Sequence, residues 1–281
     1  MKIFKNETFL SVLYLILAFV MGICIFAFSI FTTLRLTVFT PGFLSETLNQ
    51  SEYYTDLCDE ITDSLMDIGD ASGLDKSFFD NFVDEVLVRE DVQSYIDAFY
   101  SGNSLKVDSS NFEKALKAAL EKYEEDNGLD KKDFSEENIN YFVEEASKIY
   151  VQNVELNYFP YIQEKAIKYT SKLNIYIAVT GVVMLISLLL IIFTNKWKHI
   201  AVRYIYYGTA SSGLFMLLIP IVVFLSGVID RITILTRSLN DMYTACINSV
   251  FTVILTVAIL LIVVSALLWI LHNVLRKRAL N

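Results

Sequence analysis

The chain has 281 residues, of which 54% are hydrophobic and only 20% are charged, and its formal net charge at pH 7 is −9. A mean hydropathy of +0.46 is far above that of an ordinary soluble domain, so the composition predicts an integral membrane protein. The same composition excludes a disordered chain, and the acidic balance excludes a nucleic-acid-binding protein, which needs a basic surface.

Four apolar stretches are long enough to cross the hydrocarbon layer of a bilayer, which takes about 20 helical residues. They cover residues 9–31, 173–193, 204–229 and 247–271, and none contains Asp, Glu, Lys, Arg or His. The first stretch has the basic flank of a signal peptide, but its apolar run is longer than such peptides need, so we expect an uncleaved anchor. The sequence therefore predicts four transmembrane helices.

Basic residues beside the stretches indicate how the chain crosses the bilayer, because short cytoplasmic segments are enriched in Lys and Arg. The N-terminal tail, the loop after the second stretch and the C-terminal tail together hold eight basic residues and one acid. We therefore expect a multi-pass plasma-membrane protein with both termini in the cytoplasm and residues 36–172 outside. Four basic residues at the expected outer edge oppose this orientation: Arg35, Lys165, Lys168 and Lys172.

Acidic residues are concentrated between the first two stretches. Residues 36–172 carry 29 of the 32 acids and 12 of the 23 bases, a net charge of −17, whereas the remainder of the chain is at +8. This asymmetry predicts domain boundaries at both ends of the segment. The expected organisation is a tail with the first span (1–35), an acidic extracytoplasmic domain (36–172), three further spans (173–272) and a basic tail (273–281).

Apolar positions in the acidic segment recur at steps of three and four residues, which predicts helices and not strands. The expected helices cover about residues 54–68, 79–101, 110–127 and 135–149. Gly102 ends the second of them, and Ser110 with Glu113 forms a capping box at the start of the third. The predicted fold class is an all-α membrane protein with a helical acidic domain inserted between helices 1 and 2.

Two features close to the membrane leave alternatives open. The fourth acidic helix either continues through Pro160 into the second span, which would make this proline a hinge, or ends near Asn157 with a new helix at Pro160. Residues 230–245 show amphipathic spacing, which predicts a short helix on the outer surface that serves as a docking shelf for the acidic domain.

The third span contains a patch of small residues: Gly208, Thr209, Ser212 and Gly213. Such residues usually allow helices to pack closely, and the alternative is a polar pore lining or a lipid-binding groove. At the outer membrane edge, Arg35 either pairs with Asp230 or extends its side chain to lipid head groups.

Residues that carry catalysis are scarce. The two histidines, His199 and His272, lie at the ends of spans, and the chain has no metalloprotease, dithiol, phosphate-loop or serine-hydrolase motif. We therefore expect no enzyme, no metal site and no cofactor. Cys58 and Cys246 are either isolated thiols or, if both face an oxidising compartment, a disulfide.

The sequence favours a non-enzymatic bacterial envelope protein that binds, senses or scaffolds through its acidic domain. Besides the lipid bilayer, the expected partners are a cationic peptide, a cation or a basic protein surface, with a homo-oligomer as a further expectation and no nucleic acid. The alternative is a small channel or transporter subunit that acts as an oligomer. A membrane-anchored enzyme that uses carboxylates is third.

Overall fold

A computed structural model describes residues 7–71, 74–79, 82–127, 136–231 and 236–280. In these residues the chain forms α-helices joined by short connections, and it contains no β-strand. The helices are α1 (Glu7–Leu36), α2 (Pro41–Asn49), α3 (Tyr53–Ala71), α4 (Glu85–Ser101), α5 (Ser110–Asn127), α6 (Glu136–Val154), α7 (Phe159–Thr194), α8 (Lys198–Ser226) and α9 (Arg237–Leu280).

The chain divides into two compact units. The membrane unit comprises Met1–Thr40, Lys168–Ile232 and Ile247–Asn281, and the acidic unit comprises Pro41–Ile167 and Thr233–Cys246. Helices α7 and α9 each begin in the acidic unit and continue without a break into the membrane unit.

The membrane unit contains helices α1, α8 and most of α7 and α9, each long and apolar enough to cross a membrane. This confirms the prediction of an all-α chain with four membrane-length helices. Helix α1 packs along α8, with Tyr14 and Met21 buried in the same cluster as Tyr204. The Tyr14 hydroxyl also donates a hydrogen bond to the Thr194 carbonyl at the end of α7, 2.8 Å away.

The acidic unit is a helical bundle whose core follows the apolar spacing of its sequence. Leu57, Ile61 and Leu65 form one buried row on α3, and each is at most 1% exposed. The Phe112 ring of α5 stacks on the Tyr150 ring of α6 at a centroid distance of 4.3 Å. Each buried side chain of this size contributes about 1.5–3 kcal/mol, so the core and not the surface charge holds the unit together.

Two helix starts differ from the expectation. The acidic unit opens with α2, which the apolar spacing did not predict, and α4 begins at Glu85 instead of Phe79. The second difference has a local cause: the Asp84 backbone is extended and its carboxylate accepts a hydrogen bond from Val86 N at 2.8 Å, which caps α4 there. Gly102 ends the helix as expected, with a left-handed φ of 75° that suits glycine.

Helix α5 begins at Ser110 as expected, but the cap is shifted by one residue. Ser109 donates its hydroxyl to the Glu113 carboxylate at 2.8 Å, and the Asp108 carboxylate accepts a hydrogen bond from Ser110 N at 3.0 Å. The expected start of α6 at Ser135 lies outside the described residues.

Candidate functional site

Gly208 and Ser212, two of the small residues of the third span, lie in the seam between α1 and α8. The buried Ser212 hydroxyl is 2.6 Å from the Gly22 carbonyl of α1 and 2.7 Å from the Gly208 carbonyl of its own helix. A Cβ atom on Gly208 would lie 3.0 Å from the Ala18 carbonyl oxygen and 2.5 Å from Met21 Cε. Both observations support the packing interpretation of Gly208 and Ser212.

The other two residues of the patch have different neighbours. Thr209 points its hydroxyl at carbonyls of its own helix, those of Ile205 and Tyr206. A Cβ on Gly213 would meet the backbone of Ile262 in α9 at 3.2 Å. The patch is therefore divided between two helix contacts and does not form one continuous polar face.

Arg35, at the end of α1, is held by contacts inside the membrane unit. Its Nε donates to the Asn174 side chain at 3.3 Å, and its Nη1 donates to the Phe39 carbonyl at 2.9 Å and to the Thr40 hydroxyl at 3.4 Å. The Asp230 side chain lies outside the described residues, so the expected pair between Arg35 and Asp230 stays a prediction.

Pro160 lies in the first turn of α7, after α6 has ended at Val154. This is the second of the two alternatives, in which a new helix starts near the proline. A proline in the first turn removes no intrahelical hydrogen bond, because the first amides of a helix have no partner there. Its role as a hinge stays a prediction.

A contact that the sequence does not indicate lies where α9 begins in the acidic unit. Both oxygens of the Glu60 carboxylate on α3 accept hydrogen bonds from Ser238: Oε1 from its backbone N at 3.0 Å, and Oε2 from its hydroxyl at 2.6 Å. An anion at this position satisfies a free amide and interacts favourably with the positive end of the helix dipole. Glu60 therefore caps a helix that is 178 residues away in the chain.

A second contact, between the carboxyl groups of Asp56 and Asp241, joins the same two helices. Burial raises the pKa of Asp56 on α3, and the hydrogen bond to Asp241 and the negative charges of Asp241 and Glu60 raise it further, while Arg237 opposes them. Two carboxylates cannot share a hydrogen bond unless one of them holds a proton. The raised pKa of Asp56 makes the contact between α3 and α9 sensitive to the protonation of Asp56.

The expected shelf at residues 230–245 takes a different form. Residues 237–245 form the first turns of α9, which then continues as a membrane-length helix, and they do not form a separate short helix. Met242 in these turns packs against the hydrophobic core of the acidic unit. Residues 232–235 lie outside the described residues.

Other polar side chains of the acidic unit contact residues of its core or one another. Tyr150 is fully buried and donates its hydroxyl to Asp91 at 2.5 Å. Burial raises the pKa of the Asp91 carboxyl, and the Tyr150 hydrogen bond acts in the opposite direction. Arg89 lies over the Tyr54 ring at 4.4 Å and bonds to the Glu85 carboxylate.

The cysteines are free thiols in the structure, so Cys58 and Cys246 are not joined. Burial raises the pKa of Cys58 to about 12, with Glu85 and Asp59 adding to the effect, and a thiol in that state is a poor nucleophile. Among the described residues, no group of three His, Cys, Asp or Glu side chains is placed to hold a metal ion.

The sequence prediction therefore found one half of the α1–α8 contact and neither half of the contact between Glu60 and Ser238. Gly208 and Ser212 stood out as small residues, but Gly22 did not, although Ala18 and Gly22 have the same four-residue spacing on α1. Glu60 could not be singled out among so many acids, because its role depends on a partner in a distant helix. No known protein family, curated protein or solved structure matches this chain.

Proposed function

We propose that the protein is a non-enzymatic, multi-pass membrane protein that binds or senses a cationic partner through its acidic unit and passes the bound state to its membrane helices. The observation that carries the proposal is the Glu60 cap on α9, because α9 begins inside the acidic unit and continues as a membrane-length helix. A ligand that shifts α3 would move Glu60 and would thereby disturb the first turn of α9 directly.

The charge of the acidic unit selects the class of partner. A segment at −17 repels anionic polymers and attracts cationic peptides, cations or the basic face of another protein. The basic residues beside the membrane spans support an orientation with the acidic unit outside the cell, in a plasma membrane and with both termini in the cytoplasm.

The experiment uses the full-length protein in nanodiscs of zwitterionic lipid and a fluorescent lysine-rich peptide as the probe. We expect peptide binding that weakens as salt is raised, because exposed charges are screened over about 10 Å at 0.1 M salt. We also expect binding to change amide hydrogen exchange in the first turns of α9, in residues 237–246. Glu60→Ala should keep the binding and lose the change in α9.

Asp59→Ala is the matched control, because Asp59 is an exposed acid next to Glu60 on the same helix. It removes one charge and leaves the cap intact, so both binding and the response of α9 should persist. Binding of a polyanionic wall polymer that survives high salt, or peptide binding without any response in α9, would contradict the proposal.

The channel alternative rests on the small-residue patch of the third span. Ser212 of that patch is 1% exposed, and its hydroxyl lies between two backbone carbonyls in the α1–α8 seam, which favours helix packing at this position.

A further inference from the structure

The α1–α8 pair carries a groove on its outer face that the proposed function does not use. Two adjoining cavities of about 430 and 400 Å³ share Phe19 and Ser211 in their walls. The groove runs from Leu15 to Phe26 on α1 and from Tyr207 to Ile219 on α8, and its walls are almost wholly apolar.

The dimensions of the groove fit one acyl chain. From Tyr207 to Ile219 the α8 axis rises about 18 Å at 1.5 Å per residue. One leaflet accounts for half of a hydrocarbon core about 30 Å thick, so the groove is as long as one leaflet is deep. The small residues Gly22, Gly208 and Ser211 lie among the larger side chains that line the groove, and they leave its floor concave.

The side chain of Arg203 places a positive charge at one end of this groove. Arg203 precedes Tyr207 by one turn, so it continues the α8 row formed by Tyr207, Ser211 and Phe215. Its guanidinium lies over the Tyr204 ring at 5.1 Å, and Tyr204 contacts the Ser11 carbonyl of α1, one turn before the groove residue Leu15. The Arg203 side chain is thereby held at the seam between the two helices.

Arg203 is also incompletely paired. Its Nε is buried and has no hydrogen-bond partner among the described residues, and its one side-chain hydrogen bond there, from Nη2 to the Tyr204 hydroxyl, is 3.4 Å long. A buried donor without a partner costs about 1–3 kcal/mol, which a small shift of the guanidinium towards a ligand oxygen would recover. Guanidinium groups bind phosphate oxygens particularly well, through two parallel hydrogen bonds.

We propose that the α1–α8 groove binds one anionic phospholipid, with its headgroup phosphate at Arg203 and one acyl chain along the groove. The site lies in the leaflet next to the loop between α7 and α8, whichever side of the membrane that is, so it does not depend on the proposed function or its orientation. The groove selects a chain that lies flat against two helices, and Arg203 selects the charge of the headgroup.

The test uses the full-length protein in phosphatidylcholine vesicles with a trace of spin-labelled phosphatidylglycerol or spin-labelled phosphatidylcholine. The motionally restricted fraction of each label reports lipid held by the protein. We expect about a fivefold preference for phosphatidylglycerol, the effect of one basic residue on an anionic lipid. Arg203→Gln should abolish the preference and Arg203→Lys should retain part of it.

Arg276→Gln is the charge control, because Arg276 lies in the C-terminal part of α9 and away from the groove walls. It should keep the preference, and so should Glu7→Gln, which removes the acid one turn before Ser11. An equal loss in Arg203→Gln and Arg276→Gln, or a loss in Glu7→Gln, would overturn the assignment of the charge to Arg203.

A groove-filling pair tests the acyl chain separately. Ile23→Trp, at a groove position that is 51% exposed, should lower the restricted fraction of both labels. Leu189→Trp on α7, 49% exposed and not part of the groove, should leave it unchanged. Unchanged binding in Ile23→Trp, or release of the label by inorganic phosphate, would show that no acyl chain is held and would overturn the proposal.

Discussion

Glu60 is one of 29 acids between residues 36 and 172, and both of its carboxylate oxygens accept hydrogen bonds from the start of a distant helix. An exposed carboxylate contributes little to stability, whereas one that caps a helix terminus typically contributes about 1 kcal/mol. At the scale of the residue, the proposed function therefore assigns different roles to the acids: Glu60 links two helices, and the remaining negative charge selects the proposed cationic partner.

Removing the cap should loosen the start of α9. We expect Glu60→Ala to lower the local stability of the first turn by about 1 kcal/mol, because Ser238 N and its hydroxyl lose their acceptor. Hydrogen exchange in residues 237–241 measures this as a faster rate, with Asp59→Ala as the control. Equal exchange in the two variants would contradict the role of Glu60.

The Asp56 and Asp241 pair should make the α3–α9 contact depend on pH. The folded state raises the pKa of Asp56, so it binds the proton more tightly than the unfolded state does. The contribution of this group is therefore present below the ordinary pKa of Asp, about 3.9, and is lost as the pH rises through the raised value.

Asp56→Asn should remove that loss, because the amide keeps a hydrogen-bond donor for Asp241 at every pH. We expect the variant to gain stability relative to the wild type as the pH rises from 3 towards neutral, measured by chemical unfolding of the protein in detergent. Asp59→Asn on the same helix is the control. A difference between Asp56→Asn and the wild type that is independent of pH would rule out the shared proton.

At the scale of the element, most of the helices were predictable and their contacts were not. Apolar spacing and the length of apolar runs are local properties of the sequence, so they predicted α3 and the four membrane-length helices but not α2. Start positions such as Glu85 in α4 depend on which side chain reaches a free amide, as Asp84 does for Val86. The joining of α3 to α9 through Glu60 and Ser238 depends on the fold of the acidic unit, and no local pattern encodes it.

The close approach of α1 and α8 should require glycine at position 22. A Cβ there would lie 3.0 Å from Ser211 Oγ and 3.2 Å from the Gly208 carbonyl oxygen, so the helices would have to separate. We expect Gly22→Ala to destabilise the protein in detergent by about 1–3 kcal/mol.

Gly181→Ala on α7 is the matched control for that substitution, because a Cβ at Gly181 meets only the Phe28 ring at an ordinary 3.4 Å. Its helix propensity should improve by about 1 kcal/mol, which makes the variant as stable as the wild type or more so. Equal destabilisation by the two substitutions would show that the seam is not tightly packed at Gly22.

Pro160 offers a test of where α7 begins. Since it lies in the first turn, Pro160→Ala should change the unfolding free energy by less than about 1 kcal/mol. A proline inside a continuous helix costs about 3 kcal/mol, so a gain of that size in Pro160→Ala would show that α6 and α7 form one helix and that the proline bends it. Unfolding in a graded mixture of detergents measures the difference.

At the scale of the whole molecule, the main feature is the separation of negative and positive charge between the acidic segment and the remainder of the chain. Residues 36–172 hold a net charge of −17 and the remainder holds +8, while α7 and α9 join the two compact units as uninterrupted helices. Composition alone predicts the membrane helices. The direction in which they cross the bilayer is predicted from a few basic residues, and four others argue for the opposite direction: Arg35, Lys165, Lys168 and Lys172.

The most direct test asks which side of the membrane the acidic unit occupies. Single cysteines are placed at Ser104 in the acidic unit and at Lys198 at the start of α8, both exposed, in a full-length variant with Cys24, Cys58 and Cys246 replaced by alanine. A membrane-impermeant maleimide added to intact cells should label position 104 and should reach position 198 only after the cells are broken. Labelling of position 198 with protection of position 104 would invert the orientation, and the proposed external cationic partner would have to be abandoned.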